Sequence, residues 1–211
     1  HRIEPCKTGM QSGRWLRHAC MKSRRRETAL ADIRDCGGWW TLLFAPEELK
    51  SNRVVVTAAV SDRGIALQHA AIALQSDREV VMAAVRQDVQ ALQYAAPDLK
   101  RDREVVMAVI SQKKKAWALQ YAAPELKCDR EFVVMAVSHG GHAFSHASSE
   151  LRSDREVVMR AVTQWGWALR DVSIELRSDP NVVMAAVAQD AEALQFAGDA
   201  LLEDETFAVQ A

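Results

Sequence analysis

Glycine and proline are scarce in this chain of 211 residues, at 9 and 5. So few turn formers and breakers argue against collagen-like, linker-rich and turn-rich all-β chains. Cysteine is limited to Cys6, Cys20, Cys36 and Cys128. No two of them form a C-x-x-C pair, and the irregular gaps do not suit a zinc site. They read as free thiols of a reducing compartment. No window approaches the roughly 18 consecutive apolar residues of a membrane span. Nor does one charge dominate: 27 Lys and Arg against 28 Asp and Glu leave a formal net of −1. A strongly basic nucleic-acid binder or an acidic disordered chain would be balanced differently. What is plentiful is hydrophobic side chain, 49% of the residues, enough to bury a sizeable core. The chain starts at His1 and stops inside a recurring pattern, as a processed or partial chain would, with any targeting peptide upstream.

That pattern is an internal repeat. Asp77-Arg-Glu-Val-Val-Met82 recurs at Asp102–Met107 and at Asp154–Met159. Asp129-Arg-Glu-Phe-Val-Val-Met135, Asn52-Arg-Val-Val-Val56 and Asp179-Pro-Asn-Val-Val-Met184 are variants, and Asp204 opens another copy. The anchors at 52, 77, 102, 129, 154, 179 and 204 are 25 residues apart except for one step of 27. The second half repeats as well: Ala91-Leu-Gln-Tyr-Ala-Ala-Pro-Asp-Leu-Lys100 matches Ala118-Leu-Gln-Tyr-Ala-Ala-Pro-Glu-Leu-Lys127. The two extra residues of the long step fall within Lys113-Lys114-Lys115, which places an inter-helix loop there.

Each copy reads as two helices. Asp or Asn at the anchor is a good N-cap, a glutamate follows in the first turn, and Pro180 takes the first helical position after Asp179. Val80, Val81, Ala84 and Val85 then form an apolar stripe at helical spacing. The second helix, Ala91 to Ala96, is shorter; Pro97 ends it or opens one further turn, which Leu99 packs back. A hairpin of 25 residues cannot bury its apolar face alone, but stacked copies can. The predicted fold is all-α: a solenoid of about six stacked 25-residue helical hairpins with a basic N-terminal extension. Residues 1–26 form the extension and 27–211 the solenoid. Its copies lie near 27–51, 52–76, 77–101, 102–128, 129–153, 154–178 and 179–203, with a partial one at 204–211.

The recurring A-L-Q-Y-A-A-P-E-L-K-x-D-R-E-V-V-M-A-A-V resembles the repeat family known as domain of unknown function 4116, over roughly residues 27–211. The resemblance implies tandem helical repeats and brings no activity, cofactor or catalytic residue.

Equivalent positions of a solenoid line up in columns. Val85, Ile110, Val137, Val162 and Val187 keep aliphatic identity and read as core. The column Trp40, Ile65, Gln90, Trp117, His142, Trp167 and Glu192 varies in chemistry and reads as a surface. Trp39, Trp40, Trp117, Trp165 and Trp167 would anchor a partner there, since tryptophan is favoured in interface hot spots; the alternative is that they fill gaps between helix layers. A basic column of Lys50, Lys100, Lys127, Arg152 and Arg177, with arginines after the anchors, could track phosphates. Its interleaving with glutamates and aspartates points instead to a solvated, salt-bridged edge. His139, His142 and His146 lie close in sequence but occupy columns of ordinary polar and aromatic residues, so no metal site is expected. Gly140-Gly141 falls where a tight turn is due.

Residues 1–26 differ, with eight Lys and Arg and one acid, a net of +7, against −8 for the rest. Arg14, Trp15, Arg17, Arg24, Arg25 and Arg26 are the candidate contacts of this arm with something acidic. Nothing resembles a nucleophile with a base, a paired acid and base, or a phosphate-cradling glycine loop. The expectation is a non-catalytic scaffold without cofactor, a structural subunit whose partners are other proteins of an assembly. The alternative is an RNA-binding repeat protein, with RNA taken up through residues 1–26.

Overall fold

The computed structural model describes residue 30 and residues 42–112 and 115–202. They fall in two compact units divided between Lys100 and Arg101, within one residue of the junction between two copies. The described copies from residue 52 onward are built alike. Each opens on a long α-helix: α1 (Arg53–Asp62) and α2 (Arg78–Gln87) in the first unit, and α3 (Arg103–Ile110), α4 (Arg130–His139), α5 (Arg155–Gln164) and α6 (Pro180–Gln189) in the second. The anchors are N-caps, as the sequence predicts. Asn52 accepts from the Val54 and Val55 amides, Asp77 from Glu79 and Val80, Asp102 from Glu104 and Val105, and Asp154 from Glu156 and Val157. Asp129 and Asp179 each accept from one first-turn amide, and Pro180 opens α6.

The apolar stripe lies inward. Val80, Val81, Ala84 and Val85 of α2 are buried, as are Val105, Val106, Val109 and Ile110 of α3 and Phe132, Val133, Ala136 and Val137 of α4. Phe132 takes the place of Val80, so the variant copy at 129–153 is a substitution within the same frame. Helix α1 packs on α2; in the second unit α3 packs on α4, α4 on α5 and α5 on α6.

The second half of the copy is two elements where the sequence suggested one helix with one turn more. A six-residue 3-10 helix comes first, at Gly64–His69, Val89–Tyr94, Ala116–Tyr121, Gly141–His146, Gly166–Asp171 and Ala191–Phe196. A single short turn follows, at Ile72–Gln75, Pro97–Arg101, Pro124–Cys128, Leu151–Ser153, Ile174–Arg177 and Asp199–Leu202. With three residues per turn, positions i and i+3 eclipse. Gly64, Leu67 and Ala70 therefore share one buried face, as do Gly141, Phe144 and Ala147. The leucine of the short turn is buried at Leu74, Leu126 and Leu151 and half-buried at Leu99. Helix α3 stops at Ile110, and Ser111, Gln112 and Lys115 lie outside helices. The inserted pair thus sits between α3 and its 3-10 helix, where the spacing put it. Lys113 and Lys114 themselves lie outside the described residues.

Copies are joined through the backbone as well as the core. The carbonyl of Lys50 accepts from the Ala71 amide at 3.0 Å, Gln75 from Ala96 at 3.0 Å, Lys127 from Ser148 at 3.0 Å, Arg152 from Ser173 at 3.1 Å and Arg177 from Gly198 at 2.9 Å. Each bond links the end of one copy to the same point in the next.

The glycines report close approach between copies rather than tight turns. Gly140 has φ 170°, extended backbone open to any residue. A Cβ on Gly64 would meet the Ala84 carbonyl at 2.3 Å and Asp88 Cβ at 2.9 Å; on Gly141 it would meet Trp165 Cβ at 2.5 Å, and on Gly166 the Ala186 carbonyl at 2.6 Å. A Cβ on Gly140 would meet Ala116 Cβ at 2.8 Å. Where the first 3-10 residue is glycine, the residue facing it from the next copy carries a side chain: Asp88, Trp165 or Asp190. Where that first residue is Ala116, the facing residue is Gly140. The pair Gly140-Gly141 therefore serves two neighbours, one on each side.

The architecture is an all-α array of tandem helical repeats, a solenoid, as the sequence predicts.

Candidate functional site

Four of the charged side chains singled out by the sequence, Arg53, Arg103, Arg130 and Arg155, hold copies together. Within each unit, the arginine after an anchor reaches the capping aspartate of the next copy. Arg53 Nε lies 2.9 Å from Asp77 Oδ2, Arg130 Nε 2.9 Å from Asp154 Oδ2, and Arg155 Nε 3.1 Å from Asp179 Oδ2. Arg103 pairs with Asp129, and Arg53 and Arg130 reach on to Glu79 and Glu156. Each aspartate uses one oxygen for its own helix and the other for the preceding copy. The hydrogen bond from Arg130, against the cost of desolvation, holds the Asp154 carboxyl below the usual carboxylate range, and its bonds to the Val157 and Glu156 amides add to this. These arginines form the salt-bridged edge expected of them.

The column Lys50, Lys100, Lys127, Arg152 and Arg177 does not belong to that edge. All five are half-buried. The Lys100 ammonium donates to the Gln93 carbonyl and Lys127 to the Gln120 carbonyl, the latter at 2.7 Å, each satisfying the C-terminal end of its own 3-10 helix. Gln75 does the same from the equivalent position, donating to Leu67 and Ala70 at 3.1 and 3.2 Å. Burial pushes the Lys100 and Lys127 ammonium groups down from their ordinary value. The sequence could not separate the two basic columns, because both alternate with acids; what divides them is which end of a helix they reach.

The variable column occupies the second residue of each 3-10 helix. Gln90, His142 and Glu192 are exposed; Ile65, Trp117 and Trp167 are half-buried. The tryptophans lean on neighbours without being covered. Trp117 meets Tyr121 edge-on at 6.0 Å between ring centroids, and Trp167 meets Phe196 at 5.4 Å while its indole N–H donates to Asp190 Oδ2 at 2.8 Å. Trp165, half-buried, stands one step away as the residue closing α5, and its ring lies 4.2 Å from that of His142. Within the second unit, consecutive 3-10 helices pack on one another, so Trp117, His142, Trp165 and Trp167 share one edge of it. Trp39, Trp40, Arg14, Trp15, Arg17, Arg24, Arg25 and Arg26 lie outside the described residues.

The column four residues on reads His69, Tyr94, Tyr121, His146, Asp171 and Phe196, all half-buried. Burial, then the charge of Lys50, lowers the His69 imidazole from its ordinary value; burial, then Lys127, lowers His146, with Asp171 opposing. Asp171 accepts from the Ser145 hydroxyl at 2.6 Å. His139 ends α4 and is exposed. Among the described residues no group of three or more His, Cys, Asp and Glu is placed to hold a metal ion, and no helix is long and apolar enough to cross a membrane. Cys128 is an exposed free thiol.

The sequence marks Asp190 as part of an acidic C-terminal region that could meet the basic arm, and does not show its structural role. Asp190 caps the following 3-10 helix through Glu192 N at 3.0 Å and orients Trp167; its match with the capping Asp88 was the available signal. Nor did sequence reasoning find the open groove of about 350 Å³ on the outer faces of α3 and α4, lined by Arg103, Glu104, Met107, Ala108, Ser111, Phe132 and Met135. Arg103 stacks over the Phe132 ring there at 5.3 Å.

Fold and site together define a tandem helical-repeat protein whose copies are joined by recurring ion pairs and backbone hydrogen bonds. The family model described as Domain of unknown function (DUF4116) matches residues 55–100, 77–127, 102–152 and 154–202, and the chain belongs to that family. No curated protein and no solved structure matches it.

Proposed function

We propose that the chain is a non-catalytic helical-repeat scaffold, a protein-interaction module serving as a structural subunit of a larger assembly. One observation carries this reading. At the second residue of each 3-10 helix the backbone is the same from copy to copy, the side chain changes from Ile65 to Gln90, Trp117, His142, Trp167 and Glu192, and none of these is buried. A constant frame presenting a varied, accessible row is how repeat arrays make extended binding surfaces, and half-exposed tryptophans on such a row have the chemistry of interface anchors. Among the described residues, Arg53, Arg103, Arg130 and Arg155 beside the anchors are already ion-paired, which favours a protein partner over RNA on the repeat array.

The test is affinity purification of the tagged full chain from its native source, followed by quantitative mass spectrometry. Trp117→Ala with Trp167→Ala serves as the matched variant, and thermal melts establish that both are folded. The reading expects defined proteins at near-stoichiometric yield with the native chain and their selective loss with the folded variant. Recovery of RNA in their place, or identical companions for both chains, overturns it.

A further inference from the structure

Two cations of the second unit have no polar partner among the described residues. Arg152 and Arg177 occupy the same position of successive copies, held in place by backbone bonds from their carbonyls to Ser173 and Gly198. Lys100 and Lys127, at the equivalent position, are satisfied by 3-10 carbonyls. Neither the Arg152 nor the Arg177 guanidinium makes a hydrogen bond or ion pair with a described residue, and the Nε of each is sealed from solvent without an acceptor. Removing a charged donor from water without a partner is costly. The carboxylate best placed by register to meet Arg152 is Asp171, which stands where His69 and His146 stand next to Lys50 and Lys127. It is already engaged by the Ser145 hydroxyl at 2.6 Å and by Arg170 at 3.5 Å.

We propose that Arg152 and Arg177 form a paired guanidinium site for an acidic peptide segment of a partner protein, each arginine taking one carboxylate. With Nε sealed, each half-buried guanidinium would meet its carboxylate through its two terminal nitrogens, a two-pronged hydrogen-bonded pair that a lysine ammonium cannot reproduce. Packed helices repeat at about 8–10 Å, and an extended peptide rises about 3.3 Å per residue. Two acidic residues three positions apart therefore match two arginines one copy apart. Ile174, 71% exposed, lies one turn before Arg177 and offers the peptide an apolar contact. Glu150 and Glu175 are exposed near the two arginines, so the surroundings tolerate two isolated charges better than a continuous phosphate backbone. The proposal rests on the interaction-module reading and names the chemistry of one partner segment.

Side-chain N–H resonances of arginine in the full-length protein test it, because a sealed Nε–H exchanges slowly enough to be observed. The signals that vanish in Arg152→Lys and Arg177→Lys identify the pair. The probes are a short glycine–serine–leucine peptide with two glutamates three positions apart, the same peptide with glutamines, and an oligouridine RNA. The proposal expects a saturable shift of both signals with the glutamate peptide and binding at least tenfold weaker for the glutamine peptide. It also expects loss of glutamate-peptide binding in the double lysine variant without a lower melting temperature, since lysine is native at this position elsewhere. Absence of a shift, glutamate-peptide affinity undiminished in the double lysine variant by titration calorimetry, or tighter engagement of the same two signals by the RNA overturns it. The tryptophan-dependent purification is read independently, so failure here with that result intact removes the site and leaves the scaffold reading standing.

Discussion

At the scale of single residues, Gly140 packs closely against the preceding copy. Ala116 Cβ would lie 2.8 Å from a Cβ on Gly140, so Gly140→Ala should overpack the junction and cost about 1–3 kcal/mol. Adding Ala116→Gly removes the opposing atom and should recover most of that loss, since residues in contact are coupled. Urea denaturation of the two single variants and the double measures it; additivity would contradict the interlock. The half-buried histidines make a second prediction. Burial disfavours the charged imidazoles of His69 and His146, and the Lys50 and Lys127 charges act the same way. The folded state thus binds protons less readily than the unfolded chain. Their effect is absent well above the ordinary imidazole value of about 6.5. As pH falls through that value, the unfolded chain takes up protons the folded one refuses, and stability drops. His69→Tyr with His146→Tyr, the residue native at Tyr94 and Tyr121, should flatten the decline in melting temperature between pH ~8 and ~5. An unchanged slope would place the pH sensitivity elsewhere.

Individual elements depend on their caps and on their inward stripe. Asp154 caps α5 with one oxygen and pairs with Arg130 through the other. Asp154→Ala loses both and should cost about 1–2 kcal/mol. Asp154→Asn keeps an oxygen for the cap, as Asn52 does natively, and should cost less. Chemical denaturation ranks the two, and equal losses would mean that the ion pair outweighs the cap. Val106 is fully buried between helices, and Val106→Ala should cost about 1–3 kcal/mol by the same measurement. These elements were legible in the sequence because a ten-residue helix displays its cap, its acidic first turn and two turns of apolar spacing. The 3-10 helix was not. Gly64, Leu67 and Ala70 span too few residues to tell a period of 3.0 from one of 3.6. The glycines misled for a related reason: glycine permits both a tight turn and a close approach, and only the extended φ of Gly140 with its neighbour Ala116 decides between them. In the candidate site, the column Ile65, Gln90, Trp117, His142, Trp167 and Glu192 could be read as surface because its chemistry varies. Whether Trp117 and Trp167 were core or exposed could not, since a half-buried ring satisfies both readings.

At the scale of the whole molecule, the contacts between copies are interchangeable, and this gives the repeat its strongest test. Deleting residues 154–178 removes one copy and joins Ser153 to Asp179. Arg130, which pairs with Asp154, would then meet Asp179, already the partner of an equivalent arginine, Arg155. The Arg152 carbonyl would accept from Gly198 as the Arg177 carbonyl does. Gly141 would face Asp190 in place of Trp165, as Gly64 faces Asp88. Every junction type created already exists in the chain. In a quasi-one-dimensional array, stability is a sum over copies and nearest-neighbour interfaces, so the shortened protein should fold with one copy's share less stability. Its denaturant dependence should be shallower, because less surface is exposed on unfolding. Deleting residues 159–178 removes nearly as much chain but breaks the 25-residue frame. Helix α6 would then follow an N-cap and first turn already supplied by Asp154–Val158, leaving Asp179 and Pro180 inside a helix. Circular dichroism and urea titration compare the two deletions: the in-frame protein should stay helical with a cooperative transition, and the other should not. Equal tolerance of both would show that copies are not the unit of assembly.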